Sequence, residues 1–528
     1  MTKNTIYTYG TAGFRGKADT LEKAVARCGI AACLRSQQLN GQTIGVMITA
    51  SHNPVNDNGV KIIDANGGML DQTWEPLCTR LANASSESEL EAAIKEIETV
   101  IANPSYSSVK PSVVLASDTR PSSPHLSKTL INALQSRNAD FYDYGLLTTP
   151  QLHWLIQAIN ENSEYHVPSS IPHIESYYKT LSSSFVDLCK QFVPFETGKT
   201  KLIIDCANGV GAIHLEKLCS MLLPFLEIEL VNKNTEQTDL LNKNCGADFV
   251  KTTQSLPAGL SGTLSPMQLC ASFDGDADRV VFYFVDSAKK FHLLDGDKIS
   301  VLAAKQLSAC IKASQLDLKL GVIQTAYANG ASTVYLEDEL NIRAECVLTG
   351  VKHLEKAARE YDIGVYFEAN GHGTVVFSKS CLQKLDTLPA NATGEQRSAV
   401  NLLKGLSTLC NQAIGDSISD TLMVVFLLQV LGWNAADWLN MYHDLPNALA
   451  KATVRNRFEF VCTDADRRLV KPSGLQQIVD EIMRPYESAR AFIRASGTED
   501  AVRVYVEASS QKDVDKMMQA IMELLTVY

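Results

Sequence analysis

The segment TASHNPVNDNGVK, from Thr49 to Lys61, combines a hydroxyl group, an imidazole and an amine. It directly follows the apolar run IGVMIT, which predicts a strand over 44–49. Ser51 therefore lies at a strand end, where α/β proteins place residues that bind or react. A serine hydroxyl becomes a useful nucleophile when a base or a cation assists it, and His52 and Lys61 offer both. The segment predicts a reactive serine.

A second segment, SFDGDADRVV over 272–281, carries three carboxylates at alternate positions. On an extended segment Asp274, Asp276 and Asp278 point to the same side, and the small residues between them leave room for a ligand. Three like charges converge stably only around a cation, and hard oxygen ligands of this kind suit Mg²⁺. The segment predicts a magnesium site. A partial copy, DADR at 464–467, lacks the preceding Asp-Gly, and we expect it to be a surface turn.

A third segment, RASGTEDAVR, runs from Arg494 to Arg503 between two predicted strands. Its small polar residues present hydroxyl groups and unobstructed backbone N–H groups, and the two arginines add forked cationic donors. This composition predicts a phosphate clamp. The segment FEANGHGT, over 367–374, places a carboxylate, an amide and an imidazole on a Gly-rich loop, which can bind several hydroxyl groups of a sugar.

The elements that must position these loops alternate along the chain. Short apolar runs bounded by Gly, Asn or Asp are separated by amphipathic stretches, which is typical of α/β proteins. An alternating segment and a helix at the end of the chain indicate a small α+β module. Strands are predicted at 44–49, 113–117, 202–206, 226–231, 280–285, 321–325, 490–493 and 502–507, helices at 21–38, 302–313 and 512–527, and loops at 160–176, 252–267 and 385–398.

Composition limits the class of protein. A chain of 528 residues should hold about three to four domains. Its net charge of −11 argues against nucleic acid or an anionic membrane as the main partner. The 13 cysteines include no C-x-x-C pair, so neither a disulfide framework nor a zinc ribbon fits. The start lacks the apolar stretch of a signal peptide, and the longest apolar run, 422–433, is too short to span a bilayer. We expect a cytoplasmic protein with reduced thiols.

Together with other motifs, these segments resemble the phosphoacetylglucosamine mutase family of the α-D-phosphohexomutase superfamily. The resemblance covers nearly the whole chain, and the motifs follow the family's order. They are YGTAGFR, TASHNP, SDTRPSS, LTTPQLH, NKNCGAD, DGDADR, LLDGDKI, QTAYANG, TGVKHL, FEANGHGT and SGTED. The resemblance implies an α/β fold with four domains around a central cleft. Three related mixed α/β sandwich domains carry the phosphoserine loop (1–172), the metal-binding loop (173–292) and the sugar-binding loop (293–441), and a C-terminal α+β domain (442–528) carries the phosphate-binding loop.

The resemblance also implies roles for single residues. Ser51 would carry the exchangeable phosphoryl group and would bind one Mg²⁺ per active site together with the three aspartates. Arg15, His52, Lys61 and Arg279 would surround the reacting oxygens, and either Lys61 or His52 would relay the proton. The implied substrate-binding residues are Thr349, Gly350, Glu368, Asn370, Gly371, His372, Arg494, Ser496, Gly497, Thr498 and Arg503.

The implied reaction interconverts N-acetylglucosamine 6-phosphate and N-acetylglucosamine 1-phosphate, in UDP-N-acetylglucosamine biosynthesis. A sugar 1,6-bisphosphate would be both intermediate and activator. Relatives that act on glucose or mannose phosphates usually have a Gly-Glu-Met-Ser-Gly type of sugar loop, so FEANGHGT favours the acetylated sugar. Three alternatives remain: a phosphoglucomutase or phosphomannomutase, a metal-dependent phosphatase that uses Ser51, and a non-catalytic phosphosugar sensor. We expect a monomer or a weak homo-oligomer with a small phosphosugar as its ligand.

Overall fold

The structure is a computed structural model, which describes residues 6–100, 109–260, 264–389, 391–496 and 500–528. The chain divides into two compact units. The first unit comprises Met1–Asp295, Asn370–Thr374 and Asn401–Ala435, and the second comprises Gly296–Ala369, Val375–Val400 and Ala436–Tyr528.

The first unit begins with a five-stranded sheet in the order β1-β3-β2-β4-β5. β2, β4 and β5 are parallel, whereas β3 pairs antiparallel with both β2 and β1. The elements of this part are β1 (Phe14–Lys17), α1 (Glu22–Gln38), β2 (Ile44–Ile48), β3 (Asp57–Ile63), α2 (Glu75–Asn83), α3 (Glu87–Val100), β4 (Ser112–Ser117), α4 (Ser123–Ser136), β5 (Asp140–Leu146) and α5 (Thr149–Glu161).

The central strands of this sheet are buried on both faces. Val46 and Leu115 belong to the core formed with α1 and α4, whereas Met47 and Ala116 belong to the core formed with α5. A strand covered on both sides has no polar face, which explains why β2 and β4 are continuous apolar runs in the sequence.

The second sheet of the first unit also has five strands, in the order β10-β9-β8-β6-β7. β7, β6 and β8 are parallel, and β9 and β10 continue the sheet in antiparallel pairs. The sheet therefore repeats the arrangement of the first one. Its elements are α6 (Glu175–Phe192), β6 (Thr200–Asp205), α7 (Gly211–Leu218), β7 (Leu226–Val231), α8 (Ala247–Thr253), β8 (Cys270–Phe273), β9 (Val280–Val285) and β10 (Phe291–Leu294).

A third sheet has the order β12-β11-β13-β14. β11 is parallel to both β12 and β13. The elements of this region are α9 (Gly296–Ser314), β11 (Leu320–Thr325), α10 (Gly330–Val334), β12 (Ala344–Val347), α11 (Val351–Ala358), β13 (Ile363–Phe367), β14 (Gly373–Phe377), α12 (Lys379–Asp386), α13 (Gly394–Leu409), α14 (Ser417–Leu431) and α15 (Ala435–Leu439).

The end of the chain forms a three-stranded antiparallel sheet, in the order β15-β19-β18, and a two-stranded hairpin, β16-β17. One face of the larger sheet packs on α16 and α17 through Val502, Val504 and Val506. The elements are β15 (Asn447–Thr453), β16 (Val461–Thr463), β17 (Arg468–Lys471), α16 (Leu475–Met483), β18 (Arg490–Ala495), β19 (Ala501–Glu507) and α17 (Gln511–Leu525).

The predicted strands and the α/β class are confirmed. Two predicted boundaries are wrong: α9 begins at Gly296 rather than at residue 302, and α13 begins at Gly394, inside a predicted loop. The long apolar run forms α14, which is buried from Ser417 to Gln429. In the described part of the chain, no helix is long and apolar enough to cross a membrane. The ranges of the four predicted domains stay a prediction.

The serine, aspartate and FEANGHGT segments occupy equivalent positions in their sheets. The serine segment joins β2 to β3, the aspartate segment joins β8 to β9, and the FEANGHGT segment joins β13 to β14. Each connection leaves the carboxyl end of a strand in the parallel part of its sheet, where α/β folds place ligand sites.

Candidate active site

The serine segment is a buried, strained loop. Ser51 has no exposed surface and adopts a left-handed backbone conformation with φ 51°, which is unusual for a residue other than glycine. Its hydroxyl donates to Asp274 Oδ2 at 2.6 Å, and its Oγ lies 3.4 Å from His52 Nδ1. Its backbone N–H donates to Thr49 Oγ1 at 3.0 Å. The predicted nucleophile is therefore held directly against the first aspartate of the predicted metal site.

One buried arginine holds this loop from within. The Arg120 guanidinium donates to four backbone carbonyl groups, those of residues 51, 53, 54 and 57, at 2.6–2.9 Å. Its Nε donates to Asp118 Oδ2 at 3.0 Å, and the same oxygen accepts a hydrogen bond from Thr49 Oγ1. The Ser51 carbonyl accepts a second hydrogen bond from Asn242 Nδ2, at 2.8 Å. The strained conformation is thus fixed by charge-assisted hydrogen bonds.

The aspartate segment brings its three carboxylates together. Candidate ligand atoms of Asp274, Asp276 and Asp278 all lie within 4.8 Å of one another, and all three residues are buried. The segment is a hairpin loop rather than the extended segment that we expected. Ala277 is left-handed with φ 57°, and Asp274 Oδ1 accepts the backbone N–H of Asp278 at 3.1 Å. The loop curls around its own first carboxylate, and this curvature makes the three side chains converge.

The electrostatics of this cluster favour a cation. Burial and the neighbouring carboxylates raise the pKa of Asp274 well above its ordinary value. Burial also raises the pKa of Asp278, but the charges of His372, Lys61 and Arg279 outweigh it and hold that pKa well below its ordinary value. Asp276 Oδ1 and Asp278 Oδ1 are buried without a hydrogen-bond partner among the described residues. Buried carboxylate oxygens with spare lone pairs are the donor set that Mg²⁺ prefers, so these residues fit a magnesium ion.

Neighbouring elements fix the aspartate loop. At the start of α5, Thr149 donates its hydroxyl to Asp276 Oδ2 at 2.6 Å and its backbone N–H to the Asp276 carbonyl at 3.1 Å. At the start of α14, the Ser417 backbone N–H donates to the Ala277 carbonyl at 3.2 Å. Gly275 is required by a close approach, because a Cβ atom there would lie 2.6 Å from the Ser51 carbonyl oxygen. The serine and aspartate loops therefore form one rigid site.

The predicted cationic residues surround this site. Lys61 Nζ lies 4.0 Å from Asp276 Oδ2 and 3.7 Å from Asp278 Oδ2. Arg279 Nε lies 3.8 Å from Asp278 Oδ1, and Arg15 Nη1 donates to Asn53 Oδ1 at 3.4 Å. Burial and the Arg279 and Arg15 charges lower the pKa of His52 to about 3, so its imidazole is neutral at physiological pH. The structure thus brings Arg15, His52, Lys61 and Arg279 to the serine and the aspartates.

Part of the FEANGHGT loop also lies in the first unit. His372 is buried, and its Nδ1 lies 2.7 Å from the Asp278 backbone carbonyl oxygen. Gly371 must be glycine, because its φ is 87° and a Cβ atom would lie 1.9 Å from the Val280 carbonyl oxygen. Asn370 Oδ1 accepts the His372 backbone N–H at 3.0 Å. His372 is therefore directed at the aspartate loop.

The remaining predicted residues belong to the second unit. Arg494 on β18 and Arg503 on β19 are direct cross-strand partners. Like charges in this position repel each other, so the pair suits an anion such as phosphate. Ser496 follows Arg494 and is buried. Glu368 and Thr349 are half-buried, and Gly350, with φ 125°, directly precedes α11. Gly497 and Thr498 lie outside the described residues.

The sequence analysis missed several residues that shape the site. Arg120 and Thr149 lie in the motifs SDTRPSS and LTTPQLH, but their types did not indicate that Arg120 binds main-chain carbonyl groups or that Thr149 binds Asp276, a candidate metal ligand. DADR at 464–467 is a surface turn, as predicted, with Asp464 and Arg467 exposed, but the sequence analysis missed the contact of Asp466. Its Oδ2 lies 3.0 Å from Arg494 Nε, and the side chain is 13% exposed. The sequence DADR also occurs in the aspartate loop, and this similarity gave no indication that Asp466 contacts Arg494.

Four family models match consecutive parts of the chain. Phosphoglucomutase/phosphomannomutase, alpha/beta/alpha domain I, matches residues 30–89 and 82–170, and the C-terminal domain of the same group matches 449–524. Phosphoacetylglucosamine mutase AMG1, domain II, matches 170–281, and domain III matches 295–433. The fold is therefore the four-domain fold of the phosphohexomutases, as the sequence predicted.

Relatives of high identity cover the whole chain. Phosphoacetylglucosamine mutase 1 of Schizosaccharomyces pombe is 51% identical over 527 residues, which cover 99% of this chain and 100% of that protein. A crystal structure of N-acetylglucosamine-phosphate mutase in the substrate complex matches with a TM-score of 0.93 at 44% identity, covering 99% of this chain and 97% of that chain. The Aspergillus fumigatus enzyme in complex with GlcNAc-6P and magnesium matches with a TM-score of 0.91 at 43% identity, covering 99% and 96%.

The chain belongs to the phosphoacetylglucosamine mutase family, within the α-D-phosphohexomutase superfamily. This confirms the resemblance drawn from the motifs. Mutases of this kind are isomerases, so the chain is an enzyme of that class.

Proposed function

We propose that this chain interconverts N-acetylglucosamine 6-phosphate and N-acetylglucosamine 1-phosphate by passing a phosphoryl group through Ser51. The observation that carries the proposal is the contact between Ser51 Oγ and Asp274 Oδ2, at 2.6 Å, inside a buried cluster of three aspartates. The relatives of this chain support the proposal, because solved structures of N-acetylglucosamine-phosphate mutase include a substrate and a product complex.

The chemistry proceeds in two transfers. Phosphorylated Ser51 donates to the free hydroxyl of the sugar phosphate: the Ser51 Oγ–P bond breaks, a new O–P bond forms, and the proton of the hydroxyl passes through the relay residue to Ser51 Oγ. The resulting 1,6-bisphosphate turns around, and its other phosphoryl group returns to Ser51. Lys61 and His52 remain the two candidates for the proton relay, since both lie beside the reacting groups. Arg15 and Arg279 stabilise the negative charge of the transferring group.

We propose that Asp274, Asp276 and Asp278, together with the phosphate of Ser51, bind one Mg²⁺. The bound ion would neutralise charge on the phosphoryl group and so favour its transfer. The loop geometry supports this assignment, because the three carboxylates already converge in the structure.

The clamp of the second unit holds the phosphate that is not being transferred. We assign this role to Arg494, Ser496, Gly497, Thr498 and Arg503. Arginine pairs recognise a phosphate dianion through forked hydrogen bonds, and the clamp must accept either the 1-phosphate or the 6-phosphate. We further assign recognition of the sugar to Thr349, Gly350, Glu368, Asn370, Gly371 and His372.

We also propose that the enzyme works in the cytoplasm as a monomer or weak homo-oligomer and does not bind nucleic acid. All 13 cysteines are free thiols, which is typical of proteins in a reducing compartment. The net charge of −11 disfavours a polyanion as partner.

A comparison of substrates tests the proposal. Turnover of N-acetylglucosamine 6-phosphate and of glucose 6-phosphate is measured with inorganic phosphate release recorded in parallel. We expect faster turnover of the acetylated sugar, stimulation by a sugar 1,6-bisphosphate and little free phosphate. Equal or faster turnover of glucose 6-phosphate would reject the acetylated substrate, and phosphate release in step with turnover would indicate a phosphatase. Full activity of Ser51→Ala would reject the serine mechanism.

A further inference from the structure

The hairpin turn at Asp464–Arg467 lies beside the strand that carries the phosphate clamp. The turn connects β16 to β17. On β16, Cys462 Sγ–H donates to the Ile493 carbonyl at 3.2 Å, and Ile493 directly precedes Arg494 on β18. The hairpin is thus attached to the strand at the level of the clamp.

The backbone of this turn is unusual. Asp464, Ala465 and Asp466 have φ values of 52°, 53° and 70°, so three successive residues other than glycine are left-handed. Such conformations cost free energy and concentrate at functional sites. Asp464 forms an exposed ion pair with Arg467, at 2.5 Å. Asp466 is different, because the turn directs its carboxylate inward and leaves its side chain 13% exposed.

Within the described part of the chain, the Asp466 carboxylate has two polar contacts, each to a residue that we assigned to substrate binding. Its Oδ2 lies 3.0 Å from Arg494 Nε and accepts the Thr349 backbone N–H at 3.3 Å. A guanidinium group has five N–H donors, of which Nε supplies one. A carboxylate bound at the Nε edge fixes the plane of the group and leaves the Nη edges for a phosphate.

Simple electrostatics alone does not explain a carboxylate at this position. A negative charge beside Arg494 weakens the attraction of the clamp for phosphate. The cross-strand pair of Arg494 and Arg503 places two like charges side by side. A geometric benefit, a fixed plane of the Arg494 guanidinium, would offset the electrostatic cost of Asp466 to phosphate binding.

We propose that Asp466 is a positioning residue for phosphate binding. It orients the Arg494 guanidinium and joins the phosphate clamp to the loop that begins at Thr349. The proposal rests on the proposed function, in which Arg494 binds the substrate phosphate. Asp466 itself does not contact the substrate.

Three single variants distinguish the orientation of Arg494 from the negative charge of Asp466 and from the conformation of the turn. Asp466→Gly removes the carboxylate but adopts φ 70° without strain. Asp466→Asn keeps an acceptor oxygen for Arg494 and Thr349 and removes only the charge, and asparagine also tolerates the left-handed conformation. Asp464→Gly is the matched control, since Asp464 lies in the same turn with φ 52° but pairs only with exposed Arg467.

The readouts are KM and kcat for N-acetylglucosamine 6-phosphate, the inhibition constant of inorganic phosphate, and the melting temperature. Loss of a charge-assisted hydrogen bond corresponds to about a tenfold weaker binding or more. We expect Asp466→Gly to raise KM and the phosphate inhibition constant about tenfold. Asp466→Asn should restore both to within about threefold of the unchanged enzyme. Asp464→Gly should leave both unchanged, and the melting temperatures of the two glycine variants should agree.

A double variant tests whether Asp466 acts through Arg494. In an Arg494→Ala background, Asp466→Gly should have no further effect on phosphate binding, because the group that it orients is absent. Additive effects would overturn the proposal, as would phosphate binding by Asp466→Gly that equals or exceeds that of the unchanged enzyme. If Arg494→Ala alone leaves phosphate binding unchanged, the assignment of the clamp fails. If only the Asp466 variants have no effect, the positioning role fails and the clamp remains.

Discussion

Replacement of Arg120 by lysine tests whether a buried arginine sets the geometry of the nucleophile. The Arg120 guanidinium makes five hydrogen bonds, four to carbonyl groups of the serine loop and one to Asp118. Lysine keeps the positive charge but has only three donors at a single nitrogen. It cannot reach four carbonyl groups and a carboxylate from one point. Arg120→Lys therefore keeps the charge balance of the site and removes its geometry.

The expected magnitude follows from these contacts. Each hydrogen bond of a charged group contributes about 1.5–3 kcal/mol, so the loss of two of the five should lower the free energy of unfolding by about 3–6 kcal/mol. Ser51 is left-handed only because its surroundings hold it there, so the loop should relax and displace Oγ. A misplacement of about 1 Å costs about a hundredfold in rate, and we expect kcat to fall by about that factor.

The assay combines steady-state kinetics with urea unfolding. The matched control is Arg35→Lys, because Arg35 also forms a buried, two-point ion pair, with Asp64 at 2.6 and 3.0 Å, but contacts no part of the serine loop. The control should lose stability and keep kcat within about twofold. If the kcat of Arg120→Lys stays within about threefold of that of the unchanged enzyme, Arg120 does not set the geometry of Ser51.

Three further predictions concern other residues. Thr149→Val should weaken binding of Mn²⁺, used as a magnetic probe of the Mg²⁺ site, by about tenfold because Asp276 loses its fixed orientation, and Thr149→Ser should restore it. Burial lowers the pKa of His214 to about 3, so below about pH 6.5 only the unfolded state takes up the proton of this group; His214 should contribute about 2 kcal/mol to the loss of stability between pH 7 and 5, and the loss should be smaller by about that amount in His214→Gln, as measured by urea unfolding. Gly371→Ala should displace the loop from Val280 and lower the melting temperature by several degrees, whereas Gly394→Ala, where a Cβ atom meets nothing within 4 Å, should not. The first prediction would be contradicted by equal effects of Thr149→Val and Thr149→Ser on Mn²⁺ binding. The second would be contradicted by an unchanged acid sensitivity of His214→Gln, and the third by equal melting temperatures of the two alanine variants.

The sequence was sufficient to find the serine and aspartate loops that the structure brings together, because each loop carries its side chains within a short stretch of chain. The three aspartates lie within a stretch of five residues, and Ser51 lies three residues beyond the end of β2, an apolar strand. The supporting residues were not predictable in the same way. Arg120 acts through backbone carbonyl groups, which leave no mark on the types of the neighbouring residues. Asp466 acts on a residue 28 positions later in the chain, and only the fold shows the contact.

The boundary of α9 shows the same limit. The prediction followed apolar periodicity and placed the start at residue 302, whereas the helix begins at Gly296. Its first turn contains Asp297 and Lys298, which are polar and yet buried. Asp297 Oδ2 accepts the Asn329 backbone N–H at 2.8 Å, and the Lys298 ammonium donates to the Leu439 carbonyl at 3.3 Å. Polar residues that are buried by specific partners look like surface residues in a sequence.

In the proposed mechanism, Ser51 carries the phosphoryl group between the 1-position and the 6-position of the sugar. The most direct measurement is the intact mass of the protein before and after incubation with N-acetylglucosamine 1,6-bisphosphate and Mg²⁺, followed by peptide mapping. We expect the protein to gain one phosphate group on Ser51 and to lose it on incubation with N-acetylglucosamine 6-phosphate. Ser51→Ala should show neither change. A protein that turns over the substrate while Ser51 never carries phosphate would contradict the proposed mechanism.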